Sequence, residues 1–188
     1  MLFIAAAVSF LSLGAKAQAT WSSDKAHSKL GFSITHLMAS DVEGEFKSFS
    51  ATITTKGDDF ANADVKMTAE VASVNTDNDK RDEHLKSPDF FDAAKFPSMT
   101  FTSKTFKKVK GDNYKVTGDL TMHGVTKPVT LEAVVRTGTN PMSKKAVTGV
   151  KITGKVNRKD FGIGANMGSS MLSEEVTIDG NVEFGKSE

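Results

Sequence analysis

The residues able to do chemistry in this chain are few, and their spacing narrows what that chemistry can be. Its four histidines, His27, His36, His84 and His123, form no H-x-x-x-H or H-E-x-x-H pair that would set two imidazoles on one zinc ion. Each reads as a hydrogen-bonded structural histidine, with His36 and His84 placed where they can also touch a polar head group. Cysteine is absent, which removes thiolate nucleophiles, thiolate-bound metal and disulfides. Asp77-Asn78-Asp79 lacks the glycine and distal glutamate of a calcium loop. Gly162-Ile163-Gly164 lacks the strand–helix setting of a dinucleotide fingerprint and reads as a turn. No G-x-S-x-G and no defensible Ser-His-Asp arrangement occurs. Arg158 is the sharpest candidate. It continues the alternation of Ile152, Gly154 and Val156 and so faces the way an apolar row faces. A forked guanidinium there suits a ligand phosphate or carboxylate. The alternative is an internal pair with Asp160, Asp89 or Asp92.

The elements that must position these groups are strands. Eight segments alternate apolar and polar residues with the two-residue period of a half-buried strand. Leu30, Phe32, Ile34 and His36 share one face in the first. Val42, Gly44 and Phe46 then change phase to Phe49, Ala51 and Ile53, which reads as a bulge within one bent strand. Val65, Met67, Ala69 and Val71 follow, then Met99, Phe101 and Phe106. The second half is more regular: Tyr114 to Met122 through Leu120, Val129 to Val135 through Leu131 and Ala133, Ala146 to Val156 through Ile152, and Val176 to Phe184. Gly57-Asp-Asp, Gly111-Asp-Asn and Gly138-Thr-Asn-Pro141 supply turns between them.

Eight antiparallel strands in hairpin order, each with one apolar face, predict an all-β fold: an up-and-down barrel, with a two-sheet sandwich as the alternative. Gly44, Ala51, Ala69, Gly118, Ala133, Ala146, Gly154 and Gly180 fall in the inward phase. Small residues there favour a hollow interior over a filled one, although a strand glycine can also mark a bend. Gly118 and Ala133 fall mid-strand, near the middle of the barrel.

One stretch breaks the rhythm. Asn75 to Glu83 is almost wholly polar, and Pro88 and Pro97 bracket Asp89-Phe90-Phe91. Adjacent phenylalanines point different ways in any regular element, so at least one needs a special home. The expectation is a short helical cap around residues 76–95, as two helices broken at Pro88, with Phe90 or Phe91 plugging one end of the barrel.

Residues 2–13 are nearly all apolar or small, and Ala17-Gln-Ala19 fits an A-x-A cleavage site. Residues 1–19 therefore read as a secretory signal peptide and 20–188 as the mature barrel domain, with no stable membrane span after cleavage. With Lys and Arg at 24 and Asp and Glu at 23, the formal charge is +1, and removing Lys16 brings it to zero. A neutral, mixed-charge surface argues against nucleic acid and anionic membrane. Export without cysteine suits a bacterial periplasm.

Four motifs carry a resemblance. Phe32-Ser-Ile-Thr-His36, the His84-to-Phe101 stretch, Gly118-Asp-Leu-Thr-Met-His-Gly-Val-Thr-Lys-Pro-Val129 and Arg158-Lys-Asp-Phe-Gly-Ile-Gly164 are similar to the YceI-like family, over about Thr20 to Phe184. The resemblance implies a lipocalin-like barrel holding a polyisoprenoid or other long-chain amphiphile, with no further cofactor and no enzyme activity. The candidate lining is Phe32, Ile34, His36, Phe46, Met67, His84, Phe90, Phe91, Phe101, Leu120, Met122, Leu131, Ile152, Arg158 and Phe161. Burying each methylene contributes about 0.8 kcal/mol, so ten carbons give a gross term near 8 kcal/mol against roughly 1.5–3 kcal/mol for one charged hydrogen bond. Two further readings stand beside the carrier: a head-group hydrolase using His84, Asp89 and Arg158, and a filled stress-response barrel. Monomer and homodimer are both compatible with the sequence.

Overall fold

The computed structural model describes residues 18–56 and 59–187. The described residues run through ten strands: β1 (Gln18–His36), β2 (Ser40–Phe46), β3 (Phe49–Lys56), β4 (Asp64–Glu70), β5 (Val74–Asn75), β6 (Ser98–Lys110), β7 (Asn113–Met122), β8 (Val125–Thr139), β9 (Ala146–Asn157) and β10 (Leu172–Lys186). Neighbours pair antiparallel, and β10 closes back onto β1. β2 pairs with the C-terminal half of β1 and β3 with its N-terminal half, so they form one stave in two pieces. Setting aside the two-residue β5, ten strands thus make eight staves of a closed barrel. Gln18 and Ala19 open β1; the rest of the expected signal peptide, and Gly57 and Asp58 of one expected turn, lie outside the described residues.

β1 is far longer than its alternating stretch. Ser22 to Ser28 is mostly polar and carries no period; the ladders to β3 and β10 pair Ser22, Ser23 and Ser28, and Asp24 to His27 form an unpaired irregularity between Ser23 and Ser28. The phase change after Phe46 is a two-residue break rather than a bulge. Ser73 satisfies it: Lys47 N–H donates to the Ser73 carbonyl at 3.1 Å and Ser48 N–H to its Oγ at 3.0 Å.

The cap has one helix, not two. α1 (Asp79–Lys86) is capped by Asn78, whose side chain accepts from Arg81 N–H at 3.0 Å. Asp79 and Asp82 in its first turn and Lys86 in its last complement the helix dipole. Past Ser87 the chain folds into turns instead of a second helix. Pro88 disfavours helical backbone at Ser87, and the Ser87 carbonyl accepts from both Phe90 and Asp92 N–H at 3.1 and 2.9 Å.

One end of the barrel is packed shut by Trp21 against Phe60 and Phe106 against Tyr114, with ring centroids 5.5 and 5.1 Å apart. Ile53, Val150 and Phe184 seal the layer above them, each 3% exposed or less. At the other end the inward rows of β1 and β10 stay half-exposed: Leu30, Phe32, Ile34, Val176 and Ile178. Apolar residues that face inward yet remain accessible mean that the barrel is hollow there.

Candidate functional site

The hollow is a cavity of about 430 Å³. Its wall along β10 runs from Leu172 to Phe184, roughly 40 Å of strand and about 30 Å of axis at the usual tilt. Of the fifteen expected lining residues, Phe32, Ile34, His36, Phe46, Met67, His84, Phe90, Phe91, Phe101, Leu120, Met122, Leu131, Ile152 and Arg158 lie on its wall. Phe161 does not. It is 1% exposed in the short 3-10 turn after β9, and its carbonyl lies 2.9 Å from His123 Nδ1.

The small inward residues open this space less than their size suggests. A β-carbon on Gly44, Gly118 or Gly154 would stand within 2.4–2.6 Å of the side chains of Phe32, Phe101 and Leu131, which already lie over them. Ala133 is 1% exposed and off the cavity wall. Ala51 and Gly180 do line the cavity, and at Gly180 the nearest side-chain neighbour would be 3.6 Å from an added β-carbon.

Both phenylalanines of the cap reach inward. Phe90 is buried beneath the edge of His84, with ring centroids 4.9 Å apart, and Phe91 meets Phe46 of the wall edge to face at 5.7 Å.

Arg158 points inward as its phase requires, but neither expected role is open to it. Its side chain is 2% exposed and donates to five backbone carbonyls. Nε reaches Ser173 at 2.9 Å, Nη1 reaches Ile163 at 3.0 Å and Gly164, and Nη2 reaches Met167 and Leu172 at 2.9 and 3.0 Å. A guanidinium has five N–H donors, so none is left for a ligand or for Asp160, Asp89 or Asp92. Burial lowers its pKa from the ordinary arginine value, while Glu174 opposes that shift. The arginine is a staple that shapes the 162–172 loop at the cavity mouth.

The free donor at the mouth belongs to a residue that the sequence pattern did not single out. Arg81 lines the cavity from α1, one turn before His84 and Leu85. Its Nε donates to Thr76 Oγ1 at 2.7 Å and its Nη2 to the Thr76 carbonyl at 2.6 Å. Thr76 is held in turn by buried Asp82, whose Oδ1 accepts from Thr76 N–H at 2.9 Å and from its hydroxyl. Nη1 of Arg81 is left without a partner among the described residues. The one sequence signal was spacing: Arg81, His84 and Leu85 at i, i+3 and i+4 share a helix face.

His84 lies 3.2 Å from Asp89 Oδ2 and His36 stands exposed at the rim. His27 is on the outside, in the irregular part of β1, where Asp24, His27 and Glu183 offer ligand atoms within 4.8 Å of one another. Its Nδ1 is already 3.1 Å from Asp24 Oδ2, a contact that lowers the Asp24 pKa and raises that of His27. This is a surface ion pair away from the cavity.

A closed eight-stave barrel with an apolar cavity and a cap over its mouth defines a lipocalin-like barrel protein. The chain belongs to the YceI-like family, whose domain matches residues 21–184. A UPF0312 protein of Staphylococcus aureus strain MSSA476 is 39% identical over 170 residues, spanning 88% of this chain and 96% of that one. Burkholderia cenocepacia BcnA superposes with a TM-score of 0.75 at 28% identity, over 86% of this chain and 98% of the other. A polyisoprenoid binding domain from Saccharophagus degradans shares the fold at a TM-score of 0.66 and 19% identity, over 89% and 98% of the two chains.

Proposed function

We propose that this protein is an exported, periplasmic carrier that sheathes the tail of a long-chain isoprenoid or acyl amphiphile in its barrel. The observation that carries the reading is the cavity itself: deep, apolar, closed at its far end and open beside a cationic side chain. A tail buried along its wall gains roughly 0.8 kcal/mol per methylene. Arg81 at the rim, with His84 and His36 beside it, orients a head group that accepts hydrogen bonds. Membership in the YceI-like family supports the reading, as does the polyisoprenoid-binding description of the fold relative from Saccharophagus degradans. The hydrolase alternative loses its electrophile, because the donors of Arg158 are all spent on carbonyls. No helix among the described residues is long and apolar enough to cross a membrane.

The test is to express the chain with export, extract the purified protein with organic solvent and analyse the extract by mass spectrometry. A near-stoichiometric long-chain amphiphile is expected. An empty extract, together with no binding of a fluorescent polyisoprenyl or fatty-acyl probe, rules the carrier out and leaves a barrel that binds nothing.

A further inference from the structure

The lip of the cavity holds side chains that neither folding nor solubility explains. The hairpin joining β1 to β2 turns at Leu37 and Met38, closed by Ala39 N–H donating to the His36 carbonyl at 3.0 Å. Both turn residues have positive φ, 52° and 54°. That backbone favours Asn-Gly, and a branched or long apolar side chain there is strained. Both are also in water, Leu37 54% and Met38 76% exposed. Beside them, just before the neighbouring strand β10, Met171 is 52% exposed and lines the cavity, and its carbonyl accepts from Leu37 N–H at 2.9 Å. The ends of these two neighbouring strands are therefore stitched into one apolar stretch of rim beside the open end. The segments that carry them, 30–40 and 161–173, contain no Asp, Glu, Lys or Arg in a chain that is 25% charged.

We infer that this rim docks on a lipid bilayer, inserting Leu37, Met38 and Met171 among the acyl chains so that a tail passes from membrane to cavity without crossing water. The inference rests on the carrier reading. Strain and exposure together are the argument: a residue disfavoured by its backbone and by solvent is retained for a contact absent from the isolated chain. Three side chains are too few for a stable protein interface, which buries about 1,600 Å². They suffice for reversible attachment to a bilayer that closes over the same opening. The missing charge fits an interfacial zone where ionic groups are costly, and it commits the contact to the apolar layer rather than to anionic head groups.

The test compares wild type with the double variant Leu37→Asn/Met38→Gly, which supplies the residues that this turn prefers and so should melt no lower than wild type. A second variant, Met171→Ser, changes the neighbouring part of the same rim. Wild type is expected to co-sediment with neutral phosphatidylcholine vesicles, undiminished at about 1 M salt, where the Debye length is near 3 Å. The double variant should bind a fluorescent fatty-acyl probe from solution as wild type does. Its uptake of the probe from vesicles should slow by roughly tenfold or more, since burying either side chain is worth about a decade of partitioning. Wild type that stays in the supernatant overturns the inference, as does a double variant that takes up vesicle probe at the wild-type rate. Attachment only to anionic vesicles, lost in salt, would assign docking to surface lysines instead. Rim-dependent dimers without vesicles would make the rim a self-association surface. Failure of the probe to bind from solution would count against the carrier reading alone, because vesicle attachment is scored separately.

Discussion

The ring of Phe90 lies over Gly164, so close that a β-carbon on the glycine would stand 2.9 Å from it. The same β-carbon would be 3.1 Å from Arg158 Nη1, and Gly164 has a φ of 56°. Two motifs more than sixty positions apart in the chain thus meet at one bare backbone site. Gly164→Ala should lower stability by about 2 kcal/mol or more, from left-handed backbone strain and overpacking. Urea denaturation measures it, and an unchanged midpoint would mean that the cap and the loop do not depend on each other.

Arg158 acts through its carbonyls, so its loss is a folding defect first. Arg158→Ala leaves five backbone acceptors in or near the interior without their donor. The expected loss is at least about 3 kcal/mol, the scale of two charge-assisted hydrogen bonds. Arg158→Lys should rescue little, because an ammonium has three donors and no planar fork. A lysine variant as stable as wild type would show that charge matters here and not geometry.

The barrel was legible because alternation survives wherever one strand face meets the core, as in Val176-Ile178-Gly180-Val182-Phe184. It failed where the strand breaks its register and turns no apolar row to the core, as between Ser23 and Ser28. The inward direction of Arg158 was legible from phase, but its partners were not. They are carbonyls of the 163–173 segment, and a backbone acceptor carries no residue-type signal. The glycines misled for a related reason. Gly44, Gly118 and Gly154 look like space along their own strands and are filled by side chains from the next. Arg81 was hidden in a polar run where every neighbour also looked solvated.

Glu174 ties the 162–171 loop to its surroundings. Its carboxylate accepts from Lys159 Nζ at 2.8 Å, from Ser169 Oγ at 2.8 Å and from Asn157 Nδ2 at 3.4 Å. Led by Lys159, these contacts lower its pKa from 4.5 to about 2. A carboxylate depressed in the fold adds stability that is present above its unfolded value and is lost as pH falls toward the folded one. The loop should therefore loosen between about pH 4.5 and pH 2. Hydrogen exchange of its amides across that range reports it. Glu174→Gln should exchange faster at neutral pH and lose the acid dependence; a wild-type acid profile in that variant would place the titration elsewhere.

Binding strength should depend more on the depth of the cavity than on its rim. Gly180 is about two thirds of the way down the β10 wall from Leu172, paired with Leu30 on one side and Ile152 on the other, all three facing the cavity. An added β-carbon meets nothing closer than 3.6 Å, so a side chain there projects into the hollow. Gly180→Phe should fill the tail's path and abolish binding of a fluorescent polyisoprenyl probe, while thermal melting shows whether the barrel still folds. Arg81→Ala removes the head-group hydrogen bond together with the two bonds to Thr76; the head-group part, roughly 1.5–3 kcal/mol, corresponds to about tenfold to a hundredfold in affinity. Titration of the probe into wild type and both variants separates the two contributions. If Gly180→Phe folds and binds like wild type while Arg81→Ala binds nothing, the ligand is held by its head at the mouth, and the tail does not enter the barrel.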